Sequence, residues 1–288
     1  MMLADAVAKV KKGRYKDFSM TDEERYELYI AAWLHDCGKV ATPPHVVDKG
    51  TKLETIFDRI ELIKTRMELL KRDVEIAFLK RQLNGVGEKE YDAKYHDSIK
   101  QIDEDIQFIE QCNVGGEYME EALQSRIKSI GSTQITINNK TQNLLTDDEI
   151  SNLNIAKGTL TPEEREIIND HIAITIEMLE QLPYPKNLRN VPEFAGGHHE
   201  KLDGTGYPKG LNDSQMSTQA KIMAIADIYE ALTAADRPYK DGKKLSQAMR
   251  IMGFMKNDYH IDEDLFEIFV TSGVYKKYAE KHIAKNQI

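Results

Sequence analysis

Several ionisable side chains of this sequence fall where the local pattern predicts burial, and a buried charge has to find a partner. Asp227 lies within IMAIADIYEAL (222–232), a run apolar enough to be enclosed on most sides, where an unpaired carboxylate costs several kcal/mol. Glu230 follows one turn later on the same face. The two acids call for a cation, either an Arg or Lys in a buried ion pair or a divalent metal. His171 belongs to the helical face of Ile167, Ile168, Ile174, Met178 and Leu182, so its imidazole is expected inside, as a hydrogen-bonded core residue or as a ligand. His35-Asp36, ahead of Gly38-Lys39, is read as a helix-end capping pair or as two ligands offered where the chain leaves the helix. His198-His199 precedes an acid, Glu200, which suits metal ligation better than solubility. Cys37 and Cys112 are the only cysteines, too few for a disulfide framework or a multi-cysteine zinc site. A metal would rest on imidazoles and carboxylates, a donor set that suits iron or manganese as well as zinc.

The elements that position these groups are helical. Tyr26, Tyr29, Ile30, Trp33, Leu34 and Cys37 are spaced three and four apart and predict a helix that puts His35-Asp36 in its last turn, with Gly38 as a stop. Ile56, Ile60, Ile63, Met67, Leu70, Val74 and Ala77 then follow strict heptads, the pattern of a coiled-coil seam. After the turn signal Asn84-Gly85-Val86-Gly87, Tyr95, Ile99, Ile102, Ile106 and Ile109 repeat the stepping, which predicts an antiparallel helical hairpin. A short helix is expected near Tyr118–Ile130, and the alternation in QITINNK allows a short β-hairpin. Thr161-Pro162-Glu163-Glu164 opens a helix expected to run to Leu182, and another is expected over 218–235. The fold class is therefore all-α, a helical bundle with an inserted helical hairpin.

Composition narrows the function. The 41% hydrophobic content over 288 residues suffices for a sizeable core. The net charge of −9 disfavours a broad grip on duplex DNA or RNA, which needs a basic face. A small anionic substrate held by metal ions and a few local cations is compatible with it. Neither a signal peptide nor an apolar run of membrane-spanning length is present, so a cytoplasmic location is expected. Gly204, Gly206 and Gly210 fit neither the dinucleotide-binding nor the P-loop spacing.

LHDCGK (34–39), HHEKLDGTGYPKGL (198–211) and IADIYEALTAADRPYK (225–240) occur in an order that resembles the HD-GYP family of bacterial cyclic di-GMP phosphodiesterases. The resemblance covers roughly 21–49 and 145–260. It implies an HD-type bundle formed by 1–49 and 145–288, interrupted by the hairpin-bearing insertion 50–144. It places His35, Asp36, His171, His198, His199 and Asp227 on metal-ligand positions, with Asp36 bridging two divalent ions. Lys39, Arg237 and Lys240 fall on phosphate-binding positions, Glu230 on that of a further acid, and Tyr207 on the loop beside the substrate. Asp36 and Lys39 would carry the chemistry, opening cyclic di-GMP to a linear dinucleotide and onward to GMP in second-messenger signalling.

One departure concerns a further metal-binding His that the family carries about 30 residues ahead of the HD pair, since residues 1–34 contain no histidine. MMLADAVAKV resembles the interior of that helix, so a natural N-terminal part, such as a sensor, and a third metal position are expected beyond this sequence. Cys37 stands where an aliphatic residue is usual and is read as a small core residue. Two other readings compete. One is a generic HD-domain nucleotide phosphohydrolase; the other is a catalytically impaired module that homodimerises through the heptad seam.

Overall fold

The computed structural model describes residues 1–84, 89–116, 118–234 and 242–288. Two compact units emerge, one formed by Met1–Pro43 with Arg165–Ile288 and the other by Pro44–Glu164. The divisions expected at 49/50 and 144/145 both lie inside the second unit. No helix among the described residues is long and apolar enough to cross a membrane.

The chain opens with α1 (Met2–Val7) and α2 (Asp22–Leu34), followed by a 3-10 turn at Cys37–Ala41. Thr21 and Glu24 form a reciprocal capping box that starts α2. Its buried residues are Glu27, Leu28 and Ala31, whereas Tyr26, Tyr29 and Trp33 of the expected apolar face are exposed. The reversal has a polar cause as well as a packing one. The Glu27 carboxylate is satisfied in the interior by the backbone N–H of Asn190 at 2.6 Å and its side-chain amide at 3.1 Å, so an acid occupies the inward face.

The second unit carries α3 (Pro44–Val47), α4 (Ile60–Leu83), α5 (Lys89–Asn113), α6 (Glu121–Gly131), the strands β1 (Gln134–Ile137) and β2 (Lys140–Asn143), and α7 (Asp147–Leu153). α4 and α5 form the expected hairpin, with Ile63 and Met67 buried in the same core as Ile102 and Ile109. Ile56 does not belong to the seam; it precedes α4 and is 93% exposed. The β-hairpin pairs Gln134 with Asn143 through Ile137 with Lys140, and its two turn residues, Asn138 and Asn139, both take positive φ, as a two-residue turn of this hand demands.

α8 (Pro162–Asn169) carries the division between the units, and α9 (His171–Glu180), α10 (Val191–Gly196), α11 (Thr218–Thr233), α12 (Leu245–Asn257), α13 (Glu263–Thr271) and α14 (Val274–His282) complete the first unit. The single helix expected from Thr161 to Leu182 is thus broken at Asp170. Its inward face also differs from the expected one: Ile172, Thr175, Ile176 and Leu179 are buried, while Ile167, Met178 and Leu182 are exposed. His171 is inside nonetheless, at 3% exposure.

The start of α9 is packed against backbone rather than side chains. A Cβ added to Gly38 would stand 2.1 Å from the His171 carbonyl oxygen and 2.6 Å from the Thr175 nitrogen, so the Cys37–Ala41 turn lies directly on the backbone of α9. The Gly38 N–H donates to Thr175 Oγ1 at 2.9 Å and fixes that register. A glycine that reads in the sequence as a helix stop is therefore a packing requirement between two functional segments.

Candidate metal centre

Three helices end at one place. His35 caps α2, His171 opens α9 just past the end of α8, and His198 follows α10 by two residues. The last carbonyls of a helix lack intrahelical donors, and each of these imidazoles supplies one. The Nδ1–H of His35 donates to Ala32 O at 2.7 Å, that of His198 to Ala195 O at 2.5 Å, and that of His171 to Ile168 O. The break at Asp170 is what puts His171 one step beyond a helix end.

Each of these rings consequently turns Nε2 inward, toward the carboxylates of the cluster. His171 Nε2 stands 3.1 Å from Asp36 Oδ1, His198 Nε2 3.9 Å from the same oxygen, and His35 Nε2 3.3 Å from Asp36 Oδ2 and 3.6 Å from Asp227 Oδ1. Donation of the second ring nitrogen to a backbone carbonyl is the usual arrangement behind a metal-ligating histidine. His171 Nε2, His198 Nε2 and Asp36 Oδ1 are buried without a hydrogen-bond partner. Three acceptors that face one another in the interior leave a polar deficit, and a cation among them removes it. The donor atoms of His171, His198 and His199 lie within 4.8 Å of one another, as do those of His35, Asp36 and His198.

Electrostatics divide the cluster by role. Burial pushes His198 down to about 4, only partly opposed by Asp227, and burial with the neighbouring His198 pushes His199 down as well. Both rings are thereby kept neutral, the form a metal requires. Burial also disfavours charge on His35, but Asp227 and Asp36 outweigh it and raise the ring to about 10. Asp36 is held far below the ordinary carboxylate range because His171, His35 and Lys39 overcome the cost of its burial. Asp227 is lowered too, His35 and the other imidazoles outweighing burial.

The remaining candidate residues are distributed unevenly. Lys39 Nζ sits 2.6 Å from Asp36 Oδ2 and is 40% exposed, at the rim of the cluster. Tyr207 stacks on His199 with ring centroids 4.9 Å apart, and its hydroxyl is hydrogen-bonded to His199 Nδ1 at 3.1 Å. Glu230 does not join Asp227 inside: it is exposed and falls in neither of the clusters that could hold a metal among the described residues. One helical turn along α11 is enough to carry it out of the interior. Arg237 and Lys240 lie outside the described residues.

Two contributors to the site escape sequence reasoning. Glu200, 1% exposed, is no ligand; its oxygens accept the backbone N–H groups of Lys209 at 2.7 Å and Leu211 at 2.8 Å and so clasp the loop that carries Tyr207. Gly206 allows the loop to close on that same residue, since a Cβ there would fall 2.5 Å from Glu200 Cα. A Glu directly after two histidines gives no hint of this in sequence, because its partners are backbone amides nine and eleven residues away. Thr175 is the other, as the anchor of Gly38.

Tyr207→Phe removes only the hydroxyl that orients His199. Metal affinity, followed by competition with a chelator, is expected to fall about 10–100-fold while the fold persists. An unchanged affinity would leave the loop tyrosine with no part in supporting the centre.

Residues 146–265 match the profile of a family described as HD domain. A 3'3'-cGAMP-specific phosphodiesterase of Vibrio cholerae is 38% identical over 96 residues, covering 33% of this chain and 22% of that protein. A cyclic di-GMP phosphodiesterase of Thermotoga maritima is 41% identical over 93 residues, covering 32% and 25% respectively. A cyclic di-GMP phosphodiesterase of Pseudomonas aeruginosa is 44% identical over 79 residues, covering 27% and 18%. The chain thus spans a quarter or less of the length of each of these relatives. The profile runs through His171, the paired histidines and Asp227 but stops short of His35-Asp36, which the fold alone brings to them. Over residues 146–265 the chain is thus similar to the HD domain family, and within that stretch to phosphodiesterases named for cyclic dinucleotides.

Proposed function

We propose that this chain is a metal-dependent phosphodiesterase that hydrolyses a cyclic dinucleotide, cyclic di-GMP first among them, to the linear dinucleotide and onward to GMP. The observation that carries the reading is the meeting of His171 Nε2, His198 Nε2 and Asp36 Oδ1 in the interior without a hydrogen-bond partner. The names of the relatives supply the substrate class.

In this reading His35, Asp36, His171, His198, His199 and Asp227 would hold two divalent ions, iron or manganese; His198, common to both donor triads, would serve one of them, since its Nδ1 is bonded to Ala195 O. Such ions supply Lewis-acid stabilisation of the charge that develops on a phosphoryl group. The chain's own residues do the rest. Asp36 holds the Lys39 ammonium at the rim, where it meets a phosphate oxygen of the substrate. Tyr207 fixes the His199 ring through stacking and a hydrogen bond, and Glu200 holds the loop closed over it. Arg237 and Lys240 add phosphate-binding charge and Glu230 a further acid. Residues 50–144 form an insertion in the hydrolase domain.

The test is elemental analysis of anaerobically purified protein, paired with a panel of cyclic di-GMP, 3'3'-cGAMP and mononucleotides. Bound iron or manganese together with linear dinucleotide from a cyclic one is expected. Turnover of mononucleotides with both cyclic dinucleotides intact would instead identify a generic HD-domain phosphohydrolase.

A further inference from the structure

The inward seam of the hairpin uses one side of α4, and a second heptad pattern runs along the other. Leu62, Leu69, Ile76 and Leu83 repeat every seven residues, and Thr65, Arg72 and Leu79 fill the intermediate steps of three and four; all seven are exposed. Exposure is 49% at Leu62, 45% at Leu69, 47% at Ile76 and Leu79, and 87% at Leu83. This row was hidden in the sequence by the stronger pattern at Ile60, Ile63, Met67, Leu70 and Val74, which α5 covers.

Alternating steps of three and four sustained over three heptads describe a surface that fits another helix of the same period. The five apolar residues present roughly 500 Å² per chain, and a monomer seldom leaves a larger continuous apolar patch uncovered. Doubled by a two-fold axis, the area reaches about 1,000 Å², where specific interfaces begin. No other helix among the described residues carries an exposed apolar row of this length; the large apolar residues of α5 are covered. The matching surface is therefore the same row on another copy of the chain.

Charge sets the orientation. In a parallel, in-register pair, Arg72 meets its own counterpart across the seam beside Asp73 of the partner subunit, and Glu61 lies opposite Arg66 of the partner subunit and Glu75 opposite Lys80 of the partner subunit, four attractive contacts against the two of Glu68 with Asp73 of the partner subunit. An antiparallel pair would set Glu68 against Glu75 of the partner subunit. Within one chain Arg72 meets Glu75 at 3.2 Å, with side chains 70% and 41% exposed, a screened contact free to rearrange.

The geometry points to a homodimer of this chain formed by parallel, in-register packing of α4 on α4 through Leu62, Leu69, Ile76 and Leu83. It is independent of the catalytic reading. Sedimentation velocity on the full chain over a range of concentrations is expected to show a dimer. Leu69→Glu with Ile76→Glu is expected to shift it to monomer, with helicity by circular dichroism and metal content retained. Leu62→Cys is expected to be joined to its counterpart by a short bis-maleimide, above the background that Cys37 and Cys112 give in the unsubstituted chain. A monomer throughout, a dimer that survives the double substitution, or a dimer in which Leu62→Cys is not joined would each overturn the proposal.

Discussion

Asp36→Ala is expected to abolish stable metal binding and to reduce cyclic dinucleotide hydrolysis on the order of 1,000-fold or more. Its carboxylate is the one group that meets His35, His171, His198 and Lys39 together, at 3.3, 3.1, 3.9 and 2.6 Å. Without it the Lys39 ammonium loses its ion-pair partner, and the imidazoles around Asp36 lose the anion that neutralises a bound cation. Elemental analysis and product formation, measured beside the thermal melting of the same sample, separate loss of the centre from loss of the fold. A variant that keeps full metal content would remove Asp36 from the ligand set.

Gly38→Ala should disable the centre without touching a ligand. The added methyl group would lie 2.1 Å from the His171 carbonyl oxygen and 2.6 Å from the Thr175 nitrogen, and both are backbone atoms that cannot swing aside. Either the Cys37–Ala41 turn or the start of α9 must move, which separates Asp36 from His171. The expected cost is about 1–3 kcal/mol of stability, as for other overpacked interiors, with metal content falling in step. Gly253→Ala provides the contrast, because a Cβ there meets nothing within 4 Å in the middle of α12. That substitution is expected to stabilise the chain by about 0.4–1 kcal/mol and to leave the metal in place. Equal effects from the two glycines would refute the packing argument.

What could be seen in the sequence follows from what kind of interaction each feature depends on. The α4–α5 hairpin and the β-hairpin rest on local periodicity and on an Asn-Asn turn, and both are legible. The interior position of His171 was also legible, though through the wrong face. Periodicity groups His171 with Met178 and Leu182, whereas the break at Asp170 and the close approach of Gly38 bury it with Ile172 and Thr175. Similarly, Tyr26, Tyr29 and Trp33 look like core, and α2 buries Glu27 and Ala31 instead, because an acid satisfied by Asn190 is a long-range fact that no window contains. Glu230 shares a helical turn with Asp227 yet stays outside, since one turn suffices to leave a cluster of this size. The clasp of Glu200 on the backbone of Lys209 and Leu211 has no side-chain signature at its far end.

The convergence of α2, α8 and α10 has a consequence for the order in which ligands arrive. α2 and α10 direct the negative poles of their macrodipoles toward the same point, a bias of about 0.3–1 kcal/mol apiece against nearby anions, whereas the end of α8 is offset by the positive pole of α9, which begins there. Asp36 and Asp227 add to that negative potential. On the proposed function, an approaching phosphodiester therefore meets repulsion until metal cations have reversed the sign of the field, so cation loading is expected to precede dinucleotide capture and starvation for metal to weaken it.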